Sequence, residues 1–583
     1  MTLIDWLLVF VLNGSVIAYA LWKGRDTESS SDWFLAGRTL PWWMIGLSLY
    51  ATAIDSTDLV VDSGAVYGLG MRHYVLNWVG VVGGWFLLAH FVAPPMYRAG
   101  MFTNAEYLEA RFGVTARVIS VVVQVLYRTV IVGMIATTNY LTLVIVCGWS
   151  PWTAWSTVVV VAVIATIYTM VGGLKSVAIT DSLQSIIMFI AGLILFAMVY
   201  GAVDGWTGME EKLIRHDEQL AQKMLSVGSP YTWTTSTAGL SPEELARKQL
   251  LGGRHLPEQN VLEHHAPAWL VAFTLIIAGI AYAIVNHTQS MRLFGARSLW
   301  DLKMAVVVSS GILVCVTFVN FTMGMMGKAL YPDVGLLPVE PGLQKIDAIY
   351  PILVRDFTTV GLKGVVVAGL FAAAFSTYDS IGSALSALIT RDVYARLWAP
   401  NKADKHYVAV GRWLTPIIVF GSFIYIPALL AEGMIFVYLD VVGAFVVPLM
   451  TTYLMGIFTR VHRRAATAGL FVGGLYGMAT LIAPWLAEQH GMMILPATML
   501  GRFVTAPISL LLTAGTMLVV SLVLGWQSPG EFLHQESTPW LRESQQQLNE
   551  KTDNQQESRS RVPLIFGLLV WGIGAVLSFV VFW

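Results

Sequence analysis

The stretch that decides the fold is Leu49-Tyr50-Ala51-Thr52-Ala53-Ile54-Asp55-Ser56-Thr57-Asp58-Leu59-Val60-Val61-Asp62. Its three carboxylates stand about halfway along a run that is otherwise apolar and long enough to cross a bilayer. An ionisable side chain inside a membrane span is costly and usually lines a cavity or an ion path. Ser, Thr and Asp side chains also compete locally for backbone hydrogen bonds. The stretch therefore predicts a membrane helix that breaks here and exposes carbonyl oxygens to a cation.

The composition also indicates a membrane protein. Of 583 residues, 56% are hydrophobic and 12% are charged, against roughly 25% charged residues in soluble domains. The formal net charge is −1, and no run of Lys or Arg is suited to a polyanion, which excludes a nucleic-acid-binding protein. Cys147 and Cys315 lie in apolar stretches without the spacing of a disulfide framework or a zinc site. We therefore expect an integral membrane protein whose cysteines are plain core residues.

Runs of about 20 mainly apolar residues, the length that crosses a bilayer core about 30 Å thick, indicate fourteen membrane spans. They lie near residues 3–22, 42–68, 73–97, 117–147, 151–172, 176–202, 267–289, 303–329, 361–396, 408–431, 433–457, 465–485, 505–526 and 562–582. The two-residue alternation and aromatic girdles of a membrane barrel do not occur in the sequence. The predicted fold class is an all-α polytopic membrane protein with about 14 transmembrane helices.

Basic residues alternate between loops, and this predicts the orientation because cytoplasmic loops are enriched in Lys and Arg. The basic loops contain Lys23, Arg25, Arg38, Arg98, Arg111, Arg117, Arg292, Arg297, Lys303, Arg391, Arg396, Lys402, Lys405, Arg460, Arg463 and Arg464. The intervening short loops carry few basic residues, such as Arg72 and Arg502. The first apolar stretch has Asp5 in front and lacks the basic region and cleavage site of a signal peptide. Residues 1–22 are therefore expected to be a retained leading helix, with both termini outside.

Two polar segments interrupt the spans. Residues 203–266 are expected to form an extracytoplasmic loop, and residues 527–561 a cytoplasmic linker before the final helix at 562–583. Neither segment offers an enzymatic domain, and the chain carries neither an H-E-x-x-H motif nor a nucleophile elbow. We therefore expect that the protein is not an enzyme.

Arg128 is the only basic residue that the sequence places well within a span. It lies too far from either end of its helix to reach the membrane surface easily. It therefore needs an anionic partner, which is either a substrate carboxylate or a buried aspartate. The role of Asp62 is open between a buried function and capping the outer end of its helix.

The predicted span at 361–396 carries a face of small and hydroxyl-bearing residues at positions 373, 376, 377 and 380. Small residues allow close helix packing, and the hydroxyls provide hard oxygen ligands. Buried acids also stand at Asp181 and Asp440 in other spans. These patterns favour a polar site at the centre of the helical bundle.

Several separated motifs are together specific for one family. They are Ala36-Gly37-Arg38-Thr39-Leu40-Pro41-Trp42-Trp43 before the predicted break, Gly172-Gly173-Leu174 with Thr180-Asp181 and Gln184, and Ala373 with Ser376-Thr377 followed by Thr390-Arg391-Asp392-Val393-Tyr394. On these residues the chain, from about Phe34 to Phe458, resembles the sodium/solute symporter family. The resemblance implies a LeuT-type core of two inverted five-helix repeats, at 42–202 and 267–457, followed by two peripheral helices within 465–526. Paired discontinuous helices near the midplane carry substrate and ions in such folds.

The resemblance also implies where sodium binds. One ion is expected between the broken helix and the span at 361–396, and its expected ligands are Ala51, Ile54, Ala373, Ser376 and Thr377. A second ion, as in the sialic acid branch of the family, would be held by Ser376, Asp379, Ser380 and Asp181. The carboxylate of Asp379 departs from the family's small residue, and it suits either a stronger second site or a proton.

The solute site that the resemblance implies lies beside Tyr282, the position of the family's gating tyrosine. Asp58 and Asp440 replace the histidine and glutamine of sugar carriers, and carboxylates there suit a polyol or an amine. Arg128 instead suits a carboxylate. The residues expected to contact the solute are Asp58, Asn77, Arg128, Tyr282, Asn286 and Asp440. Sugars, polyols, amino acids and amines all stay open as solutes.

From these features we expect a secondary active transporter that couples inward sodium movement to uptake of a small polar organic solute by alternating access. Proton coupling through Asp181 or Asp379 is the alternative for the ion, and a membrane sensor with the same fold is the rival from another class. The expected location is a plasma membrane, the inner membrane in a bacterial cell. The expected partners are the solute, sodium and the lipid bilayer, with no nucleic acid, and a homo-oligomer is left open.

Overall fold

The computed structural model describes residues 1–23, 33, 35–237, 240–250, 253–256, 260–332, 345–527 and 560–583. Within these residues twelve helices are long and apolar enough to cross a membrane, and one bent pair adds a further span. The twelve are Leu76–Arg98, Val114–Cys147, Pro151–Met170, Leu174–Ala202, Ala268–Val285, Leu299–Leu330, Leu362–Trp398, Lys405–Leu430, Met434–Phe458, Ala465–Ala487, Arg502–Leu524 and Val562–Val581. The apolar helix Leu3–Tyr19 is shorter, so the total of fourteen spans stays a prediction. Most of the predicted linker at 527–561 lies outside the described residues.

Shorter and irregular segments complete or join these helices. The α-helical ones include Leu3–Lys23, Asn104–Phe112, Ile349–Phe357, Asp404–Gly421 and Ile426–Glu432. The 3-10 turns are Ala36–Arg38, Gly70–His73, Lys345–Ala348, Ser422–Tyr425 and Ala497–Met499. The π-helical turns are Asp58–Asp62, Leu76–Val81, Leu88–Val92, Ile389–Trp398, Val442–Val446 and Leu577–Val581.

The predicted break at the carboxylates is present. Trp42–Ala53 and Asp58–His73, here called the first broken helix, meet at an angle of 58°. Ile54 ends the first half with extended backbone angles, φ −119° and ψ 94°. The last four carbonyls of a helix have no helical hydrogen-bond partner, so the carbonyls around the break are available to other groups.

A second interruption divides the predicted span 267–289, which the sequence alone had suggested to be continuous. Ala268–Val285 ends at Asn286, whose ψ of 104° leaves the helical region, and His287–Phe294 follows. This pair is called the second broken helix. The Asn286 side chain accepts a hydrogen bond from the backbone N–H of Thr288 at 3.1 Å, and so it caps the second half. The molecule therefore contains the two discontinuous helices that the resemblance implied.

The segment Pro151–Ala202 has a continuous helical assignment, but it contains two separate spans, Pro151–Met170 and Leu174–Ala202, in place of the predicted 151–172 and 176–202. Tyr168 and Asp181 would be about 20 Å apart on a straight helix. Tyr168 nevertheless donates a hydrogen bond to Asp379 at 2.9 Å, and Asp181 accepts one from Ser376 at 2.6 Å. Both side chains thus reach one turn of the helix Leu362–Leu388, called the hydroxyl helix. The chain therefore doubles back between residues 168 and 181, as two spans require.

Segments predicted to be cytoplasmic meet on one side of the molecule. Arg396 pairs with Glu109 at 2.8 Å, and Arg111 donates a hydrogen bond to the carbonyl of Val461 at 2.6 Å. On the other side, the N–H of Val227 donates to the carbonyl of Phe582 at 2.6 Å. Three of the basic loops, at 98–117, 391–405 and 460–464, therefore share one face, and the predicted extracytoplasmic loop lies against the last helix.

The predicted extracytoplasmic loop is folded. It contains the helices Gly205–His216, Glu218–Leu225 and Pro242–Leu250 and a small antiparallel sheet of Tyr231–Ser236, Gly253–Leu256 and Val261–Ala266, with the third strand in the middle. Arg72 holds this loop to the helical bundle, because its guanidinium donates to the carbonyls of Ser229 and Pro230 at 2.6 and 3.2 Å. The loop is thus fixed to the end of the first broken helix.

The hydroxyl helix lies at the centre of the bundle and the last helix at its edge. In the 18-residue apolar stretch of Leu362–Trp398, 94% of the residues are buried, whereas in that of Val562–Val581 17% are buried. The exposed side chains of the peripheral helices are apolar, for example Trp413, Leu522 and Val580. Apolar surface of this kind faces lipid in a membrane protein, and the polar groups are therefore concentrated between the first broken helix and the hydroxyl helix.

Candidate functional site

A cavity of about 50 Å³ lies beside the break of the first broken helix. It is called the central cavity. Its polar lining residues are Asp55, Thr57, Asp58, Asp62, Asn77, Arg128, Tyr282 and Tyr438, and its apolar lining includes Ala53, Val61, Leu76, Val81, Ile131, Met134, Leu313 and Ile435. The cavity thus brings together Asp58, Asn77, Arg128 and Tyr282, which are four of the six residues predicted to contact the solute.

Asp55 and Asp58 cap each other at the break. Asp55 Oδ1 accepts hydrogen bonds from the backbone N–H groups of Thr57 and Asp58 at 2.7 and 3.2 Å. Asp58 Oδ2 accepts one from the N–H of Asp55 at 2.9 Å. This reciprocal arrangement is a capping box, and it explains why the chain re-enters a helix here. Asp58 is only half-buried, so its second carboxylate oxygen is available to a ligand.

Arg128 is buried beside the central cavity, and some of its hydrogen-bond donors have no acceptor within the described residues. Its side chain leaves 2% of the residue exposed, and its Nε and one terminal nitrogen make no hydrogen bond within the described residues. The guanidinium carbon lies 5.6 Å from the ring centre of Tyr127 and 5.9 Å from that of Tyr282. Facing aromatic rings offset only part of the cost of burying this charge.

Other polar residues of the cavity have partners from neighbouring helices. Tyr282 donates a hydrogen bond to the carbonyl of Thr52 at 3.3 Å, and Asn77 donates to Thr317 at the same distance. Asp62 pairs with His73 at 2.8 Å. Of the two roles left open for Asp62, the structure therefore favours a buried one, in which Asp62 is hydrogen-bonded to His73 at the cavity wall.

Asp440 and Asn286 do not line the central cavity. The carboxylate of Asp440 is about one third exposed and lies 3.5 Å from the guanidinium of Arg502. Asn286 caps the second broken helix, and it is fully buried. Residue type and span position suggested a solute role for both, but side-chain direction at a helix break cannot be deduced from spacing alone.

The residues predicted to hold the first sodium ion converge. Ser376 Oγ lies 3.2 Å from the carbonyl oxygen of Ala51, at the end of the first half of the first broken helix. Thr377 Oγ1 is buried and has no hydrogen-bond partner within the described residues. Ala373 and Ile54 are also buried. This oxygen set fits a hard metal cation.

The hydrogen of the Ser376 hydroxyl is directed away from Ala51. Ser376 Oγ is 2.6 Å from Asp181 Oδ1, and a hydroxyl has a single hydrogen to donate. The shorter contact to a carboxylate takes that hydrogen, so the Ser376 oxygen and the Ala51 carbonyl present lone pairs to each other at 3.2 Å. Two oxygen ligands of one cation with bonds near 2.4 Å are separated by roughly this distance. The geometry therefore suits a cation between them.

Arg292, expected among the cytoplasmic loop residues, is instead fully buried. It lies on the second half of the second broken helix and pairs with Asp181 at 2.7 Å. Its Nε donates to Ser48 at 2.6 Å, and it also bonds the hydroxyl of Ser380. Arg128 is therefore not the only basic side chain in the bundle interior, and that part of the sequence prediction is wrong.

The four residues predicted for a second sodium ion do come together, around this guanidinium. Asp379 accepts hydrogen bonds from Tyr168 at 2.9 Å and from Ser380 at 3.1 Å. Asp181 accepts one from Ser48 at 2.5 Å in addition to those from Ser376 and Arg292. The cluster links the first broken helix, the hydroxyl helix and the second broken helix.

Sequence reasoning missed Arg292, Ser48 and Tyr168. One signal was present for Arg292, since Asn286-His287-Thr288-Gln289 places four polar residues directly after an apolar run, as at the first break. An Asn at such a point is a strong helix cap and would have indicated a second interrupted helix with Arg292 near its end. Ser48 and Tyr168 carry no comparable signal, because serine and tyrosine are common in membrane helices.

Comparison with known proteins agrees with this architecture. A sequence profile of the Sodium:solute symporter family matches residues 33–477. Sodium/myo-inositol cotransporter 2 of Bos taurus is 28% identical over 492 residues, which cover 81% of this chain and 69% of that protein. Sodium/glucose cotransporter 4 of Danio rerio is 28% identical over 573 residues, which cover 94% of this chain and 83% of that protein. The solved structure of a Na+-coupled sialic acid symporter, substrate-bound and outward-open, has a TM-score of 0.70 at 18% identity, with 91% of this chain and 99% of that chain covered.

Two broken helices around a central cavity define a secondary active transporter of the LeuT type. The chain belongs to the sodium:solute symporter family. It is an integral membrane symporter that uses sodium and carries a small molecule, and it is not an enzyme. These findings confirm the function expected from the sequence and do not support the sensor alternative.

Proposed function

We propose that the central cavity is the solute site and that the transported solute bears a carboxylate, which binds Arg128. The observation that carries this proposal is the buried guanidinium beside the cavity, two of whose nitrogens make no hydrogen bond within the part of the chain that the structure describes. A carboxylate would accept two parallel hydrogen bonds from such a fork. Asp58 and Asn77, which line the same cavity, would receive hydroxyl or ammonium groups at another part of the solute.

Electrostatics favours an anionic group over a neutral one at Arg128. Taking a charge out of water costs several kcal/mol. At Arg128 the described residues offset this cost only in part, through the attraction of the nearby Asp55 carboxylate and aromatic faces at about 6 Å, and two of its nitrogens make no hydrogen bond there. A carboxylate offsets this cost with the opposite charge, whereas a hydroxyl gives one dipole. We infer that the carrier without solute binds an anionic group beside Arg128 more strongly than a neutral one.

Sodium is proposed to bind at Ala51, Ile54, Ala373, Ser376 and Thr377, on the other side of the break. The same turn of the first broken helix serves both sites, since Ala51 faces Ser376 while Ala53 lines the cavity. Tyr282 of the cavity also bonds the carbonyl of Thr52. An ion that fixes this turn therefore orders the cavity wall, and the coupling between ion and solute is reciprocal.

A neutral polyol is the second candidate. It is favoured by the relatives, which are named as carriers of myo-inositol and glucose at 28% identity. Asp58 and Asn77 would suit several hydroxyl groups equally well. The two candidates differ only in whether the solute presents a carboxylate to Arg128, so matched solutes separate them.

The test is uptake and thermal stabilisation with pairs of solutes that differ in one group. Gluconate and glucitol differ by a carboxylate in place of a hydroxymethyl group, and glucuronate and glucose differ in the same way. Purified full-length protein would be heated with each solute, with and without sodium, because a ligand that binds the folded state raises its melting temperature. Sodium-dependent stabilisation and uptake of the acid members, and not of the neutral ones, is expected. A preference for the neutral members of both pairs would favour the polyol candidate.

We further propose that both termini and residues 203–266 face outward from a plasma membrane. The face shared by three of the basic loops supports this orientation, together with the enrichment of Lys and Arg on the cytoplasmic side. In intact cells, an impermeant thiol reagent should label Gln222→Cys and should not label Lys402→Cys. Labelling with the opposite pattern would reverse the orientation.

A further inference from the structure

We propose that the guanidinium of Arg292 takes the place of a second sodium ion, so that the carrier binds a single sodium. The inference rests on the proposed function for its one sodium site, at Ala51, Ser376 and Thr377. It concerns the neighbouring cluster, where related carriers suggested a second ion held by Asp181, Ser376, Asp379 and Ser380.

The oxygens of Asp181 are already occupied. Oδ1 accepts the hydroxyl hydrogen of Ser376 at 2.6 Å. Oδ2 accepts hydrogen bonds from Arg292 at 2.7 Å and from Ser48 at 2.5 Å. Asp181 and Arg292 are both completely buried. A sodium ion at Asp181 would therefore have to share the carboxylate with three hydrogen bonds, one of them from a guanidinium, within a closed pocket.

The donors of Arg292 are likewise in use. Nε donates to Ser48 at 2.6 Å, and one terminal nitrogen donates to the carbonyl of Thr288 at 2.5 Å. The other terminal nitrogen serves both Asp181 and Ser380. Arg292 thus contacts two of the four expected ligands directly and a third, Ser376, through Asp181. A second cation among them would lie within a few ångströms of the guanidinium, and two like charges at that distance repel strongly in a poorly solvated interior.

Asp379 is the one expected ligand that Arg292 does not bond. Its two oxygens accept hydrogen bonds from Tyr168 at 2.9 Å and Ser380 at 3.1 Å. Tyr168 lies on the other limb of the Pro151–Ala202 segment, so this carboxylate is held between the two limbs and the hydroxyl helix. Ser380, which would complete a site at Asp379, also contacts Arg292. A metal at Asp379 would share that oxygen with the guanidinium.

A tethered cation has a different consequence from a dissociable one. Arg292 is bound to the backbone of the second broken helix, and it cannot leave with the solute. It supplies positive charge to Asp181 in every transport cycle, so no second sodium ion has to move down its gradient for this purpose. The Arg292 side chain therefore sets the number of sodium ions bound. Arg292 also holds Asp181 in place, and Asp181 in turn orients the Ser376 hydroxyl at the first sodium site.

The direct test counts ions. Purified full-length protein would be equilibrated with radioactive sodium alone, with potassium replacing it for background, and bound sodium would be measured per polypeptide. One ion per polypeptide is expected, and Thr377→Ala should weaken its binding. Two ions per polypeptide in the unmodified protein would overturn the proposal. One ion that survives Thr377→Ala and is lost in Asp379→Asn would also overturn it, by locating the ion in the second cluster.

A pair of variants tests the role of the guanidinium itself. Arg292→Gln removes the tethered charge while keeping hydrogen-bonding atoms, and it should bind a second sodium ion and gain sodium-dependent thermal stability. Arg292→Lys keeps a positive charge and should bind one. A folded Arg292→Gln protein that still binds one ion would contradict the idea that the guanidinium excludes the second. Where Arg292→Gln does not fold, the ion count of the unmodified protein decides the question.

The same measurements separate this inference from the proposed function. If Thr377→Ala and Ser376→Ala leave sodium binding unchanged, the first site is misassigned and the proposed function fails. If both weaken binding but the unmodified protein holds two ions, the proposed function stands and only the inference about Arg292 fails.

Discussion

Two buried arginines of this carrier lie in opposite circumstances. Every nitrogen of the Arg292 guanidinium donates a hydrogen bond. Two of its four acceptors, Ser48 and Asp181, lie in the first predicted repeat, and two, Thr288 and Ser380, lie in the second. Arg128 has two nitrogens without a hydrogen bond in the described residues, and it borders the central cavity. Both side chains are almost completely buried. Burial alone therefore does not tell whether a charge in a membrane protein is structural.

The difference shows that the number of guanidinium donors with acceptors in the protein indicates the role of a buried arginine better than its burial does. A guanidinium whose donors are satisfied by its own protein has nothing left to offer a ligand, and it acts as a fixed link. A buried guanidinium with unused donors beside a cavity destabilises the folded protein, because its charge is desolvated without enough hydrogen-bond partners. This destabilisation is offset only when something binds. This contrast favours a structural link for Arg292 and supports the recognition role proposed for Arg128, and each can be tested by substitution.

The largest expected effect is loss of stability on removing Arg292. Arg292→Ala leaves the Asp181 carboxylate buried without its cation, and breaking such a pair costs about 3–5 kcal/mol. Arg128→Ala should destabilise the protein less, because two nitrogens of Arg128 make no hydrogen bond in the described residues and its attraction to Asp55 is the main interaction lost. Both variants would be purified and melted in potassium buffer without sodium.

The control for this effect is a double variant. Arg292→Met with Asp181→Leu replaces both charges with apolar groups of similar size, and such exchanges are often neutral. It should recover most of the stability that Arg292→Ala loses. Equal destabilisation by Arg292→Ala and Arg128→Ala would remove the distinction between the two arginines.

The second effect is on solute binding by Arg128 variants. Truncating one partner of a buried, hydrogen-bonded charge pair costs about 2–5 kcal/mol in affinity, so Arg128→Ala should abolish uptake of a carboxylate solute at ordinary concentrations. Arg128→Lys should rescue it only in part, since a point charge does not replace a bidentate fork. Uptake and solute-induced thermal shift would be measured on folded protein. Unchanged affinity in Arg128→Ala would remove this residue from the site.

The two arginines also show how far the sequence could be read. The break at Asp55 and Asp58, the buried position of Arg128 and the hydroxyl face at 373–380 all follow from charged or polar residues inside apolar runs, which is a strong local signal. For Arg292 the signal is only indirect, the polar run Asn286-His287-Thr288-Gln289 before it, because Arg292 itself stands near the end of an apolar run, where basic residues usually mark the cytoplasmic surface. Its burial depends on the second break at Asn286 and on packing against Ser48 and Ser380. Those are contacts across more than 80 residues of sequence, and periodicity does not reveal them.

The misplaced solute residues have a related cause. Asp440 occupies the expected span but points toward Arg502 on a peripheral helix, and Asn286 turns back to cap its own chain. A residue's position along a helix fixes its depth in the membrane. Its direction depends on the rotation of that helix in the bundle, which neighbouring side chains determine.

The third effect sharpens the comparison at the sodium site, where the unpartnered group is a hydroxyl. Thr377→Ala should cost roughly 1.5–3 kcal/mol, as for a hydrogen bond to a charged group, which is about a 10- to 150-fold rise in half-saturating sodium. Apparent solute affinity should weaken with it. Sodium dependence of uptake would be titrated at fixed pH with potassium as replacement.

Ser383→Ala provides a matched control for the sodium site. Its hydroxyl is buried on the same helix, but it bonds the carbonyl of Ser380 at 3.1 Å within that helix. Half-saturating sodium should therefore stay where it is in the unmodified carrier. A similar shift in Ser383→Ala and Thr377→Ala would point to a general loosening of the hydroxyl helix and against a sodium ligand at position 377.

The smallest effect concerns a carboxylate that is buried beside a guanidinium but poorly paired with it. Glu106, on the short helix Asn104–Phe112, lies 3.8 Å from Arg117. Burial raises the pKa of Glu106 to about 8, although Arg117 opposes the rise. Its neighbour Glu109 is the contrasting case, because the hydrogen bond from Arg396 and the charge of Arg117 outweigh burial and lower its pKa.

These two shifts give stability changes of opposite sign in different pH windows. The ordinary pKa of Glu106 is 4.5, so between that pH and about 8 the folded chain keeps a proton that the unfolded chain has released. Stability must then fall as pH rises through this window, by at most about 1.4 kcal/mol per pH unit. Glu106→Gln has no proton to release, so the melting temperature of the unmodified protein should fall relative to this variant between about pH 5 and about pH 8. For Glu109 the stabilisation is lost only as pH falls below its ordinary range, so Glu109→Gln should show no such trend over the same window. Parallel curves for Glu106→Gln and the unmodified protein would mean that Arg117 is paired with Glu106 after all, and the contrast between the two glutamates would disappear.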